Sequence, residues 1–170
     1  MTTFIEIQQE FGRCCRANDG MSCIFTRTLN DGTRKMIANR LNQYAAQLDW
    51  NRVIGLVDVS KRHDATAGIL VCDTKAYFYG GRNKPQKVWY DEVSRIAILR
   101  TEEGFDYGVK FELDSNADYL WKCDVVDCEA ITKLIKSIKR INRAAAEEYS
   151  RVNLEYENEA AGIEVGGLTV

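Results

Sequence analysis

The sequence predicts an α+β protein in which a run of about seven antiparallel strands is preceded by helices and followed by one long C-terminal helix. Three observations carry this expectation. Apolar residues recur every three or four positions up to about residue 50, every second position from there to Asp124, and every three or four again beyond it. Short turn-forming clusters punctuate the middle stretch closely enough to join neighbouring antiparallel strands. Between Ala67 and Leu99, three runs rich in β-branched and aromatic residues are separated by Asp73-Thr74-Lys75 and by the Gly80 to Pro85 loop. Within the second run Tyr77 and Tyr79 share one face and Phe78 takes the other, so one face is expected in the core and the other partly wet.

Taken in order, Thr3 to Ala17 forms a helix on the spacing of Phe4, Ile7, Phe11 and Cys14, with Thr2 or Thr3 as cap and Asn18-Asp19-Gly20 as stop. Ser22 to Leu29 suits a strand by composition and a short helix by spacing, and both stay open. From Thr33 to Leu48 a single helix is expected, its stripe made of Met36, Ile37, Leu41, Tyr44, Ala45 and Leu48. The seven strands are Val53 to Ser60, Ala67 to Cys72, Ala76 to Tyr79, Lys87 to Tyr90, Val93 to Leu99, Tyr107 to Leu113 and Asp118 to Cys123. Asp124 or Asp127 then caps a helix whose apolar face is Ile131, Leu134, Ile135, Ile138 and Ile141, with lysines and arginines on its other faces. Beyond Ala146 the helix turns acidic, and its last ten residues read as a flexible tail.

A chain of 170 residues, 45% hydrophobic and 28% charged, supports one main core. Its expected organisation is a helical extension over residues 1–50, a β-rich domain with its helix over 51–149, and a helix end with tail over 150–170. The formal charge of −2 gives no overall field toward nucleic acid, so none is expected as a partner. The first residues carry Glu6, Gln8, Gln9 and Glu10 rather than a secretory signal, and the expected compartment is the cytosol. The six cysteines, Cys14, Cys15, Cys23, Cys72, Cys123 and Cys128, are expected as reduced thiols, since their spacings do not match paired metal ligands. Cys72 and Cys123 read as small buried strand residues, and no metal or cofactor is expected.

Strands followed by one amphipathic helix are an order that resembles the pleckstrin-homology-like fold. At residue level, GILVCDTKAYFYGG followed by VWYDEVSRIAIL is similar to the bacterial pleckstrin-homology-like domains of the YokE and SHOCT-associated type. Asp73-Thr74-Lys75 sits at that family's turn and Tyr90 to Ile96 at its second motif, while Ala76 stands where the family usually has Arg. The resemblance spans about residues 52 to 143 and implies a partly open β-barrel plugged at one end by the C-terminal helix. It leaves residues 1–50 unexplained, and their apolar stripe is expected to cover a sheet face in the same chain.

For function, the residues point away from catalysis. There is no P-loop, GxGxxG, HExxH or GxSxG, and the lone histidine, His63, lies beside Asp64 in an expected loop, where a solvated turn explains it better than a triad with Cys72 or Cys123. Lys61, Arg62, Lys75, Arg82, Lys84 and Lys87 form a weak candidate rim for a phosphorylated ligand or an anionic lipid, although the strand after Arg62 stays uncharged until Asp73. The better expectation is a protein-interaction module, working on a partner or on itself through a strand edge or the groove beside the C-terminal helix.

Overall fold

The period-two pattern between Val53 and Lys122 becomes seven consecutive antiparallel strands. The computed structural model describes residues 2–17, 24–81, 83–123 and 128–168. Its elements run α1 (Thr2–Ala17), β1 (Ile24–Thr26), α2 (Asp31–Leu41), β2 (Val53–Asp58), β3 (Gly68–Cys72), β4 (Lys75–Gly80), β5 (Asn83–Trp89), β6 (Val93–Arg100), β7 (Asp106–Leu113), β8 (Asp118–Lys122) and α3 (Cys128–Leu168). Two antiparallel sheets result, ordered β1-β2-β3-β4-β5 and β6-β7-β8. Among the described residues no ladder joins them into a closed barrel.

The first sheet has one strand more than the pattern predicts. Ile24–Thr26, within the stretch left open between strand and helix, pairs with Leu56–Asp58 at the sheet edge. The strand expected from Lys87 begins earlier, at Asn83, because the loop before it is shorter than its composition implies. Gly80 and Gly81, at φ 82° and 62°, turn the chain, and a Cβ on Gly80 would meet the Thr66 carbonyl at 2.4 Å. Pro85 is tolerated within β5 because β5 is an edge strand, where a missing N–H breaks no central ladder.

Both faces of the first sheet are buried, which corrects the expectation of a partly wet one. Ile69, Val71 and Phe78 point inward, where Phe78 meets Phe111 and Trp121 of the second sheet at ring-centroid distances of 5.2 and 5.6 Å. Leu56, Leu70, Tyr77 and Tyr79 point outward and are covered by Ile37 and Leu41 of α2. Helix α1 lies against α3 and β2, its Phe11 ring occupying the space a side chain at Gly55 would need. The stripe expected to be one helix from Thr33 to Leu48 is divided. Asn30 caps α2 by accepting from the Thr33 N–H at 2.8 Å. At Asn42 the backbone swings to φ 53°, which asparagine tolerates better than most residues, and a 3₁₀ turn over Asn42–Gln47 follows. The division brings Tyr44 onto Tyr77 at 5.9 Å.

Helix α3 is 41 residues long, roughly 60 Å at 1.5 Å per residue. Its first part lies on the inner core with Ile131, Leu134, Ile135 and Ile138 buried, each worth about 1.5–3 kcal/mol relative to exposure. Two polar contacts fix its position, and a third holds the partner of one of them. Lys139 donates to the Val93 carbonyl, the Asn142 amide donates to the Asp73 carbonyl at 2.8 Å, and Asp73 in turn holds Arg52 at 2.6 Å. Beyond Ala145 every described side chain is exposed, and the helix runs to Leu168 through most of the segment expected as a tail. The helix stop at Asn18-Asp19-Gly20 and the caps Asp124 and Asp127 lie outside the described residues.

Candidate functional site

Of the six basic residues singled out from the sequence, the five that are described are distributed over two ends of the first sheet rather than along one rim. Lys75 and Lys87 are brought together, because the β4–β5 register sets Lys75 opposite Trp89 and Tyr77 opposite Lys87. Their ammonium groups sit 4.4 and 5.2 Å from the Trp89 ring centroid, cation–π contacts worth roughly 0.5–1 kcal/mol each. Lys61 stands apart, in the β2–β3 loop, and Arg62 follows it exposed on the same loop. Lys84 is exposed on β5, and Arg82 lies outside the described residues.

Two open clefts lie among the described residues. One, of about 630 Å³, runs between Trp89-Tyr90-Asp91 and the α3 residues Lys139, Asn142 and Arg143, with Ala146 at its outer end. Tyr90 is pinned there by donating its hydroxyl to the Cys72 carbonyl at 2.8 Å. Asp91 is the single carboxylate among the lining residues, against Lys139 and Arg143. The other cleft, of about 650 Å³, opens between the β2–β3 and β4–β5 turns and the β8 end. Arg40, Lys61 and Lys122 line it, together with Asn83 and Tyr107, and no carboxylate is among its lining residues. Arg40, Lys122 and Trp89 were not picked out from the sequence as site residues, because they come from elements far apart in the chain.

The loop bearing His63 is built by Asp58. That buried carboxylate accepts from the Ser60 N–H and hydroxyl at 2.9 and 2.6 Å and from the Ala65 N–H at 3.0 Å. Tyr79 closes the loop by donating to the Ala65 carbonyl at 2.7 Å. His63 projects from it exposed, while Cys72 is buried at the far end of β3. Burial pushes the Cys72 thiol up to about 12, with Asp73 adding to the rise, so it stays protonated at neutral pH and is a poor nucleophile. Burial raises the Cys14 and Cys15 thiols as well. Cys123, expected as a buried strand residue, is only half-buried and lies one position past β8. Cys23 is outside the described residues, and among the described residues no group of three His, Cys, Asp or Glu is placed to hold a metal ion.

The third feature is the outer half of α3. Tyr149, Leu154 and Tyr156 are 70%, 59% and 73% exposed, and Val152 is 48% exposed. Glu147, Glu148, Glu155, Glu157 and Glu159 surround them, with Arg151 as the one cation between 146 and 161. Among the described residues no helix is long and apolar enough to cross a membrane. No protein-family model matches the chain, and no curated protein matches it.

Proposed function

We propose that this chain is a non-enzymatic protein-interaction module: a pleckstrin-homology-like scaffold that carries a recognition helix beyond its own body. The order of elements supports the scaffold, since strands β2 to β8 follow one another antiparallel in two sheets and a single helix packs on them. The observation that carries the interaction reading is the outer half of α3. Helices in proteins draw most of their stability from packing an amphipathic face, yet from Ala146 to Ala161 every side chain is exposed, and the large apolar ones at Tyr149, Val152 and Tyr156 weaken the segment's case as a solvated rod. A protein partner that buries them supplies what the body does not.

A photo-crosslinking amino acid placed at Tyr156, and separately at the exposed Lys84, tests this in living cells. The Tyr156 position is expected to give discrete higher-mass adducts and the Lys84 position none. Equal labelling from both positions, or none from Tyr156, would remove the interaction reading.

A second reading rests on the Arg40, Lys61 and Lys122 cleft, where three cations converge without a carboxylate. It takes a phosphorylated small ligand or an anionic headgroup. Vesicles containing anionic lipid, and inorganic phosphate alone, separate the two sources. Binding to either is expected to weaken steeply with salt, because exposed charges are screened beyond about 8 Å at physiological ionic strength. Retention of that binding in Lys61→Glu/Lys122→Glu would overturn this reading.

A further inference from the structure

We infer that the outer half of α3 docks into the Trp89 cleft of a second copy of this chain, and that the second copy returns the contact. This rests on the interaction reading above and names its partner. The apolar stripe of α3 is continuous. Ile131, Leu134, Ile135 and Ile138 are buried in the chain's own core, and the same three- and four-residue steps lead on through Asn142 and Ala145 to Tyr149, Val152 and Tyr156. One face of one helix is therefore half covered and half bare. Where the covering stops, at Asn142 to Ala146, the Trp89 cleft begins.

Charge selects the occupant. The outer half carries five glutamates and one arginine, and Arg151 already holds Glu148 and Glu155. Among the described residues Glu157 and Glu159 have no ion-pair partner. The cleft is the counterpart: Lys139 and Arg143 line it, Arg143 already holding Glu147 of its own helix and Lys139 the Val93 carbonyl, with Asp91 as the single carboxylate of the lining, while Lys75 and Lys87 rest on its tryptophan without a carboxylate partner among the described residues. Two outer halves laid along each other would set glutamates against glutamates, which is unfavourable. An acidic helix with a tyrosine stripe laid against a basic, tryptophan-walled cleft satisfies both the apolar and the charge demand.

The chain's own cleft is out of reach of its own helix tip. Arg143 and Ala146 belong to the cleft wall and the helix continues unbroken from them, so Tyr156 and Glu159 are carried away from it. A second copy has no such constraint. Because each copy owns one helix and one cleft, the contact closes as a reciprocal two-fold pair with the helices antiparallel.

The test is light scattering coupled to size-exclusion chromatography on the full chain, with two charge-reversed variants. Glu157→Lys/Glu159→Lys reverses the helix and Lys75→Glu/Lys87→Glu reverses the cleft side. The parent is expected at twice the chain mass, and each variant alone as a monomer, with the dissociation constant raised about tenfold or more. Mixed one to one, the variants are expected to recover the dimer, since both reciprocal contacts regain opposite charges. Failure to recover it, or dimers that persist in each variant alone, would overturn the proposal. A parent that stays monomeric while Tyr156 crosslinks to a different protein would overturn self-pairing and leave the interaction reading standing. A monomeric parent with no Tyr156 adduct would remove both.

Discussion

The side-chain amide of Asn83 donates to the Lys122 carbonyl at 2.8 Å and accepts from the Lys122 N–H at 2.9 Å, tying the start of β5 to the end of β8. The two residues are 39 positions apart and belong to different sheets. One side chain thus does locally what a closing ladder would do. Asn83→Ala is expected to lower stability by about 1–2 kcal/mol in denaturant unfolding, since both Lys122 backbone groups lose their partners, and to speed exchange of the Lys122 amide. Unchanged unfolding and exchange would show that the tie contributes nothing.

Ile135 is buried where α3 lies on the core, so Ile135→Asp places an unpaired charge there and is expected to cost several kcal/mol. Removing residues 161–170 is expected to leave the unfolding midpoint in place, because the side chains of α3 from Ala146 to Ala161 are already all exposed. The reverse pattern in thermal unfolding would mean that the helix is anchored by its outer end.

Tyr77 and Tyr79 stand on one face of β4, both buried, but only Tyr79 finds a hydroxyl partner, the Ala65 carbonyl. Tyr79→Phe is expected to lose about 1 kcal/mol, and Tyr77→Phe to lose nothing or gain slightly, since it removes a buried hydroxyl without a hydrogen bond. Equal losses in the two variants would contradict this assignment.

Stability is expected to fall at alkaline pH through the Cys72 thiol. Burial moves it from 9.0 to about 12, so the folded chain keeps a proton that the unfolded chain releases. Its contribution is whole below pH 9 and is lost as pH rises toward 12, with a slope of up to about 1.4 kcal/mol per pH unit. Tyr77, raised from 10.0 to about 12 chiefly by burial, adds to the loss above pH 10. Cys72→Ala is expected to reduce the fall in unfolding free energy between pH 9 and 10, leaving the share of Cys14 and Cys15, which burial also raises, and an unaltered profile there would rule the Cys72 thiol out.

How much of this was legible beforehand follows from the range of the interactions. Seven strands, the first helix and the buried face of α3 could be read from neighbours in the chain, because a period of two or 3.6 is a property of adjacent residues. The Lys75–Lys87 pairing around Trp89 was half legible: both lysines were singled out, but their sharing one tryptophan depends on the β4–β5 register. The basic cleft was less so, since Arg40, Lys61 and Lys122 meet only after α2, the β2–β3 loop and β8 have been brought together.

The sequence by itself determined seven of the strands, the first helix and the amphipathic character of α3, all of which arise from local backbone preference and side-chain spacing. Tertiary structure alone decided three things. It buried the second face of the first sheet, because α2 breaks at Asn42 and lies across Tyr77 and Tyr79. It paired Ile24–Thr26 with β2, because an edge strand offers unmet backbone groups to any segment held beside it. It also left Tyr149, Val152 and Tyr156 bare on the face that is buried a few turns earlier, because the sheets end before the helix does. A pattern of apolar residues states that a face seeks cover, and only the assembled chain shows how far along the helix that cover extends.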